Sequence, residues 1–229
     1  HPLIQPRLVR DRNRVGALAV MALLLGANLS MFFLVVQYVQ GVLGFGPLMA
    51  GVAFLPFSLG IFATSRVTPA LLGRFGPRPM MLVGTGTLAL AYAWLSTIGT
   101  GDTYLAAVFG PMALAGISSA LTFMPVTVIV LSGVEPEHAG SASGLLQTTQ
   151  QLGGAVGVGV IVSVYAAGAL PGQLVPGMAA AFLTSATFAA LALVVTALVI
   201  RTRRPEGATE GPTEAAPEEL VEAVAAEAA

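Results

Sequence analysis

The densest group of polar side chains inside an apolar stretch lies at residues 147–151, whose sequence is QTTQQ. At about 100° per residue of a helix, Gln151 and Gly154 each fall within about 40° of Gln147, and Gln150 lies about 60° from Gln147 on the side away from Gln151. The three amides therefore form one stripe. In an apolar environment an amide needs a partner or water. The stripe predicts either an aqueous path that the glutamines line or hydrogen bonds between neighbouring helices.

A second group of polar residues lies in the first apolar stretch. Ser30 and Gln37 are seven residues apart and share a face near Gln40, whereas Asn28 and Gln37 are nine residues apart and point in opposite directions. Asn28 and Gln37 therefore cannot line the same cavity. The pattern favours the face of Gln37 and Gln40 as a binding surface, with Asn28 as a further candidate. Hydrogen bonding between helices is the alternative for both faces.

Residue types that enzymes use are absent or scattered. The chain has no cysteine, which excludes disulfides, thiolate catalysis and cysteine-ligated metals. His138 follows Glu135 and Glu137 in a polar break, but two loop carboxylates and one histidine lack a fixed ligand geometry. The acids are better explained as residues that open the next helix, where negative charge is favourable. We expect no catalytic residues, no metal site and no cofactor.

The elements that carry these residues are predicted to cross a membrane. The chain is 55% hydrophobic and 9% charged, with a mean hydropathy of +0.85, against roughly 25% charged residues in a soluble domain. A helix needs roughly 20 apolar residues to cross the hydrocarbon. Six such runs, separated by turn residues, occur at residues 15–39, 47–65, 79–98, 103–131, 140–167 and 177–200. These boundaries predict an all-α, six-helix transmembrane bundle with no ionisable residue well inside a span.

The distribution of arginines predicts the orientation. All ten basic residues are arginines, and they lie before the first span, between the second and third, and after the sixth. Basic residues are retained on the cytoplasmic side, so both termini are predicted to be cytoplasmic. An aromatic belt at the opposite ends agrees with this orientation; it consists of Tyr38, Tyr92, Trp94, Tyr104 and Tyr165. The first three spans and the last three then run in opposite senses, as two inverted three-helix repeats would.

Residues 1–14 form a basic lead-in to the bundle at residues 15–204, and residues 205–229 form an acidic cytoplasmic tail. Seven of the eleven acids lie in the last 24 residues, and this composition predicts disorder. The chain begins with His1 rather than Met, and we interpret that start as the cut end of a longer chain. The arginines form short flanking runs rather than a basic groove, which excludes nucleic-acid binding by the membrane body.

Glycine spacing predicts how the helix with the glutamines packs. Gly140 and Gly144, and again Gly153 and Gly157, have the Gly-x-x-x-Gly spacing that lets helix backbones approach closely. We therefore expect this helix to pack against a neighbour along its length.

Three passages carry a family resemblance. They are residues 37–51 (QYVQGVLGFGPLMAG) with Phe54, Leu55 and Pro56 following, residues 72–78 (LGRFGPR), and residues 139–145 (AGSASGL) with residues 150–157 (QQLGGAVG). Together they resemble the C-terminal half of major facilitator drug:proton antiporters with fourteen spans. The second passage is similar to the superfamily's cytoplasmic loop, Gly-Asp-Arg-x-Gly-Arg. Gly73 replaces the usual acid of that loop, which puts gating through a charge pair with that acid in doubt.

The resemblance covers about residues 7–204 and implies one half of a transporter in the lipid bilayer of the bacterial inner membrane. Such proteins export hydrophobic, often cationic compounds in exchange for protons, by rocking of two six-helix halves around a midplane site. It implies that a missing N-terminal half carries the proton-binding acids. It also implies that Arg74 and Arg78 pair with cytoplasmic helix ends, the alternative being simple retention on that side. A non-transporting six-helix membrane subunit or scaffold is the competing interpretation.

Overall fold

The computed structural model describes residues 11–169 and 174–201, and every regular element in these ranges is helical. The helices are α1 (Arg12–Gly41), α2 (Pro47–Val52), α3 (Leu55–Phe75), α4 (Pro77–Leu95), α5 (Gly110–Leu131), α6 (Ala139–Gly168) and α7 (Val175–Val199). A π-helical segment, Leu105–Phe109, leads directly into α5, and a 3-10 turn, Pro136–His138, precedes α6. Most of the predicted lead-in and the whole predicted acidic tail lie outside the described residues.

The all-α membrane bundle predicted from the sequence is confirmed. In the described ranges, the helical segments long and apolar enough to cross a membrane are Arg12–Gly41, Pro47–Phe75, Leu105–Leu131, Ala139–Gly168 and Val175–Val199. The remaining predicted span corresponds to α4, which has 19 residues and therefore a length of about 28 Å. Its first turn holds Arg78 between two prolines, and this charged residue lowers the mean hydropathy of α4.

The predicted end of the second span is wrong, and the difference places Arg66 inside a helix. The second span is predicted to end at residue 65, but α3 continues to Phe75. It ends where Gly76, with φ of 78°, adopts a left-handed conformation that favours glycine and turns the chain into α4. The helix continues because Leu71 and Leu72 resume the apolar pattern. Arg66 therefore lies inside a spanning helix, about 13 Å before its end.

The helices form two layers. In the first, α6, α1, α5 and α3 lie side by side in that order, because α1 packs against both α6 and α5, and α5 packs against α3. In the second, α7 and α4 pack against each other, with α7 covering α1 and α4 covering α5. The most apolar stretch of α1 is 56% buried, against 28% for the α3 segment and 17% for α6. The other side of the first layer has no described helix over it, and we call it the open face.

Close backbone contact joins the helices of the first layer at two equivalent places. A Cβ on Gly157 of α6 would collide with the Cα of Gly26 in α1. A Cβ on Gly116 of α5 would collide with the backbone of Phe57 in α3, and Gly60 belongs to the same contact. The two contacts correspond if α1 is matched with α5, α3 with α6 and α4 with α7, because the α1–α6 contact then becomes the α5–α3 contact. The same matching also maps the α1–α7 contact onto the α5–α4 contact, as expected of two inverted three-helix repeats.

The Gly-x-x-x-Gly prediction for α6 is confirmed for one pair and wrong for the other. Gly153 and Gly157 pack against the backbone of α1, but a Cβ on Gly140 or Gly144 would meet nothing within 4 Å in the described part of the chain. Helices that cross at an angle touch closely only near the crossing point. The first turns of α6 therefore lie apart from its neighbour.

At the end of the bundle where α1 begins, Arg14 binds the last carbonyls of α5. It donates from Nε to Val130 O at 3.0 Å and from Nη2 to Ser132 O at 3.0 Å. The last carbonyls of a helix have no intrahelical partner and form the negative end of its dipole. Arg14 is almost fully buried, and these two bonds satisfy its charge and the orphan carbonyls together.

Two further arginines bind the C-terminal end of α7, which lies at the same end of the bundle. Arg12 donates from Nη2 to Leu198 O at 2.7 Å, and Arg78 donates from Nη2 to Ala197 O at 2.8 Å. Arg78 thereby links the start of α4 to the end of α7. We call this end of the bundle the arginine end.

The backbone contact at Gly157 yields a prediction on stability. Gly157→Leu forces α6 away from α1, and overpacking of this kind costs about 1–3 kcal/mol or more, so we expect a lower melting temperature and a lower yield of folded protein. Gly144→Leu, on the same helix but in open space, is the matched control and is expected to melt like the parent. Thermal unfolding in detergent measures both, and equal melting temperatures for the two variants would contradict the contact.

Candidate functional site: the open face of the bundle

The glutamine stripe of α6 lies beside the exposed side of α1. At about 100° per residue, Gly154 and Tyr165 fall within about 20° of Gln147. Two contacts give the direction of this stripe. A Cβ on Gly154 would lie 2.7 Å from Cδ1 of Leu29 in α1, and the Tyr165 ring meets the Phe33 ring edge to face at 6.3 Å between centroids. Leu29 and Phe33 are 42% and 40% exposed, so the stripe borders the open face.

The amides of this stripe have no protein partner. Gln147 and Gln151 are exposed, and Gln150 is half-buried and rotated about 60° from Gln147. None of the three side chains makes a hydrogen bond with any residue in the ranges 11–169 and 174–201. Within these ranges the amides therefore do not join helices of this chain. They remain available to water, to a ligand or to a partner beyond the described residues.

On α1, the predicted binding face is divided between the open face and the contact with α6. Gln40 is exposed and lies about 20° from Leu29 around the helix, so it extends the open face toward the end opposite the arginines. Gln37 is half-buried and rotated about 80° from Leu29, on the side of Gly26. Ser30, which shares the face of Gln37, is fully buried and donates to Gly26 O at 2.8 Å.

Asn28 points into the interior of the bundle. Its Nδ2 donates to Leu24 O at 3.0 Å, and its Oδ1 accepts from Tyr92 Oη at 3.2 Å and from Ser119 Oγ at 3.5 Å. The residue is 5% exposed and is rotated about 100° from Leu29. Its amide joins α1, α4 and α5 behind the open face. In this conformation the side chain of Asn28 lies behind the open face and supports it.

Two tyrosines predicted to form an aromatic belt are buried instead. Tyr38 and Tyr92 are both fully buried, and Tyr38 Oη donates to Gly99 O at 2.9 Å. A buried tyrosine hydroxyl usually finds a partner, and here both partners lie more than 60 positions away, at separations of 61 and 64 residues. The belt interpretation is therefore wrong for these two residues. Trp94, which is 45% exposed, is at the surface as expected.

The two arginines of the predicted cytoplasmic loop have different surroundings. Arg78 reaches the end of α7 through Nη2, and its Nε is buried without a hydrogen-bond partner among the described residues. Arg74 is exposed, with its guanidinium carbon 5.3 Å from the centre of the Phe75 ring. Of these two loop arginines, Arg78 alone joins two helix ends in the described chain. At Gly73, where the superfamily loop has an acid, a Cβ would meet nothing within 4 Å in the described chain.

The acids before α6 form a small cluster with a histidine. His138 Nε2 lies 3.1 Å from Glu137 Oε1 and 3.7 Å from Glu135 Oε2, and one ligand atom from each residue lies within 4.8 Å of the others. Both carboxylates are exposed. Their position immediately before the first turn of α6 agrees with the role predicted for them at the positive end of that helix.

A bundle with one uncovered face and unpaired amides on it is suited to be part of a larger membrane protein. The sequence profile of the Major Facilitator Superfamily matches residues 1–158. The chain belongs to this superfamily. The resemblance to this superfamily, drawn from the three sequence passages, is thereby confirmed.

Several curated relatives of this major facilitator chain are named as export or resistance proteins. A cephamycin export protein of Amycolatopsis lactamdurans is 35% identical over 199 residues, which are 85% of this chain and 41% of the relative. A puromycin resistance protein of Streptomyces alboniger is 31% identical over 224 residues, with coverages of 91% and 44%. A multidrug resistance protein of Mycobacterium tuberculosis is 32% identical over 167 residues, with coverages of 73% and 31%. The chain therefore spans less than half the length of these relatives.

Sequence reasoning found the amides of this major facilitator bundle but missed the residues around them. Leu29, Phe33 and Tyr165 give the stripe its direction, and Tyr92 and Ser119 occupy the amide of Asn28. Apolar and aromatic side chains occur on every face of a membrane helix, so their types alone carry no signal. Serine and threonine give only a weak signal for contacts between helices, because a hydroxyl in a spanning helix bonds to its own backbone as readily as to a neighbouring helix.

The interior position of Asn28 yields a second prediction. Asn28→Leu leaves the Tyr92 and Ser119 hydroxyls without their shared acceptor, and polar bonds between membrane helices are worth about 0.6 kcal/mol on average and at most about 1.7 kcal/mol. We expect a modest loss of stability in Asn28→Leu and a smaller one in Tyr92→Phe, measured by unfolding in mixed micelles. A Tyr92→Phe variant less stable than Asn28→Leu would contradict Asn28 as the shared acceptor.

Proposed function

We propose that this chain is one six-helix half of a secondary active transporter that exports small hydrophobic or cationic compounds in exchange for protons. The open face is the wall that the compound touches. The observation that carries the proposal is the pair of exposed amides, Gln147 and Gln151, which have no partner in the described chain and lie beside the exposed Leu29 and Phe33. Gln40 and Gln150 flank the same surface, and Gln37 and Asn28 stand behind it.

The chemistry of the open face suits such compounds. Binding sites for small molecules are mostly apolar, with a few polar groups that orient the ligand, and Leu29 and Phe33 beside two amides provide that combination. After the first turn of α1, helices α1, α5 and α6 carry no charged residue. A cationic compound would therefore meet amide oxygens and the faces of Phe33 and Tyr165, which attract cations without requiring a counter-charge.

The exposed amides Gln147 and Gln151 also indicate that a second helical bundle covers the open face in the proposed transporter. An amide in hydrocarbon without a hydrogen-bond partner is unfavourable, so Gln147 and Gln151 need protein or water over them. The relatives are more than twice as long as the matched region, which makes up 41% and 44% of two of them, and this extra length accommodates another six-helix half. Rocking of two halves around a site between them would expose the open face to each side in turn.

Proton coupling is assigned to that other half. In the described ranges the acids are Asp11, Asp102, Glu135 and Glu137, and all four lie outside the long helices, so none of these four is placed to carry a proton across the membrane. We place the arginine end in the cytoplasm, because basic residues are retained there. Arg78 then has the role of holding α4 to α7 at the cytoplasmic end while the halves rock, and Arg74 lies beside it without such a bond.

The proposed substrate wall is tested by changing its amides in the full-length transporter. We expect Gln147→Leu and Gln151→Leu to alter the range of exported compounds while the protein stays folded, because neither amide bonds to another helix in the described chain. Thr148→Val is the matched control, since Thr148 is rotated about 100° from Gln147 and bonds to Gly144 O of its own helix. Export of a panel of neutral and cationic compounds from cells is the measurement. Unchanged export of every compound by both glutamine variants would show that these amides are not part of the site.

The alternative of a non-transporting scaffold would be supported if the full-length parent protein exports none of the tested compounds.

The proposed orientation is tested by cysteine labelling, which the absence of native cysteine makes unambiguous. Thr100 and Ser132 are exposed and lie in turns at opposite ends of the bundle. We expect Thr100→Cys to react with an impermeant thiol reagent added to intact cells, and Ser132→Cys to react only after the membrane is opened. The reverse pattern would place the arginine end outside.

A further inference from the structure

Contacts at the arginine end fix the point at which the C-terminal segment of the chain leaves the bundle. The backbone N–H of Arg201 donates to Asn13 Oδ1 at 2.9 Å, and the Arg201 carbonyl accepts from Asn13 Nδ2 at 3.2 Å. Arg12 and Arg78 bind carbonyls of the last turn of α7, just before it. The segment that follows, residues 202–229, therefore starts beside the first turns of α1 and α4.

The arginines at this end have no ion pair with a carboxylate in the described part of the chain. The carboxylates of Glu135 and Glu137 contact His138, and the carboxylate of Asp11 accepts from two backbone N–H groups at the start of α1. Arg74 is exposed, with its guanidinium carbon 5.3 Å from the centre of the Phe75 ring, and it makes no hydrogen bond with a described residue. Its charge is therefore available to an anion from elsewhere.

Arg74 also lies close to the point where the segment starts. It is four residues before Arg78 and hence at most about 15 Å from it between Cα atoms, and Arg78 is bonded to Ala197 O. Arg201, four residues after Ala197, is a second exposed arginine whose side chain has no described partner. The two exposed guanidinium groups and the start of the segment thus share one end of the bundle.

The segment itself carries the opposite charge. Residues 202–229 contain seven glutamates and two arginines, which gives a net charge of −5. An extended chain advances at most about 3.6 Å per residue, so the part up to residue 214 can reach about 47 Å from Arg201. Five of its glutamates recur at every fourth position, so that a carboxylate is available at many distances from the bundle: Glu206, Glu210, Glu214, Glu218 and Glu222.

We propose that residues 205–214 dock on the arginine end through ion pairs between their glutamates and the side chains of Arg74 and Arg201. A single exposed ion pair is weak. Here the segment is attached to the bundle, and a short flexible connection gives an effective concentration of about millimolar, so that several weak pairs suffice. An anionic lipid headgroup is the competing partner for the same guanidinium groups.

The docking is tested by disulfide cross-linking in the full chain, which has no native cysteine. Gly73→Cys lies beside Arg74, where a Cβ would meet nothing within 4 Å in the described chain, and Thr209→Cys lies beside Glu210. We expect cross-linking in neutral detergent at low salt. We expect it to be about fivefold slower in 1 M salt, which screens charges beyond about 3 Å.

The matched control for Gly73→Cys is Gly101→Cys. Gly101 is also exposed, with nothing within 4 Å of an added Cβ in the described chain, but it lies at the opposite end of the bundle. A cysteine there is expected not to cross-link with Thr209→Cys, because eight residues of chain after Arg201 reach at most about 29 Å.

The dependence on charge separates docking from simple attachment, which would also bring the two cysteines together. Arg74→Glu combined with Arg201→Glu should slow cross-linking at least about fivefold. Adding Glu206→Arg, Glu210→Arg and Glu214→Arg to that protein should restore the rate, which a misfolded variant could not do.

Two results would overturn the proposal. A cross-linking rate that changes neither with salt nor with the arginine substitutions would mean that attachment alone brings the cysteines together. A cross-link that forms in neutral detergent but is lost in phosphatidylglycerol nanodiscs would mean that lipid headgroups occupy the two arginines in a membrane.

Discussion

The architecture of this bundle depends on close backbone contact at glycines, between α1 and α6 and between α5 and α3. Helices in a membrane gain little from the hydrophobic effect when they associate, so van der Waals packing at close range has to hold them together. Gly26 against Gly157 and Gly116 against Phe57 provide that packing without intervening side chains. Because the two contacts are equivalent, they place α6 and α3 at opposite edges of one four-helix layer.

The same contact decides which way the glutamines point. On α6, Gln147 and Gln151 are rotated about 80° and about 120° from Gly157, both to the same side. With Gly157 against α1 and Gly154 against Leu29, both amides border the open face. A residue type that is unfavourable in hydrocarbon is thereby concentrated where a second bundle and a transported compound would meet it. Packing and the proposed function therefore use different residues of one helix.

Polar groups in this bundle fall into two classes that differ in their partners. Arg14 and Asn28 are buried, and bonds to helix ends or neighbouring helices satisfy them within the chain. Gln147, Gln151 and Arg66 are exposed and have no hydrogen-bond partner among the described residues. Polar groups in apolar surroundings are normally paired. The unpaired amides lie on the surface that the proposed function assigns to a second half and its substrate.

The class of the fold, the approximate spans, the family and the glutamine stripe are all predictable from the sequence, because apolar run length, turn residues and helical period are local properties. Only the tertiary structure decided that Gly157 packs while Gly144 stands open, that Tyr92 is buried on Asn28, and that Arg66 lies inside α3. The partners in the first two cases are 131 and 64 residues away along the chain, between Gly26 and Gly157 and between Asn28 and Tyr92. Such contacts arise from the crossing geometry of whole helices, which no local pattern of residue types encodes.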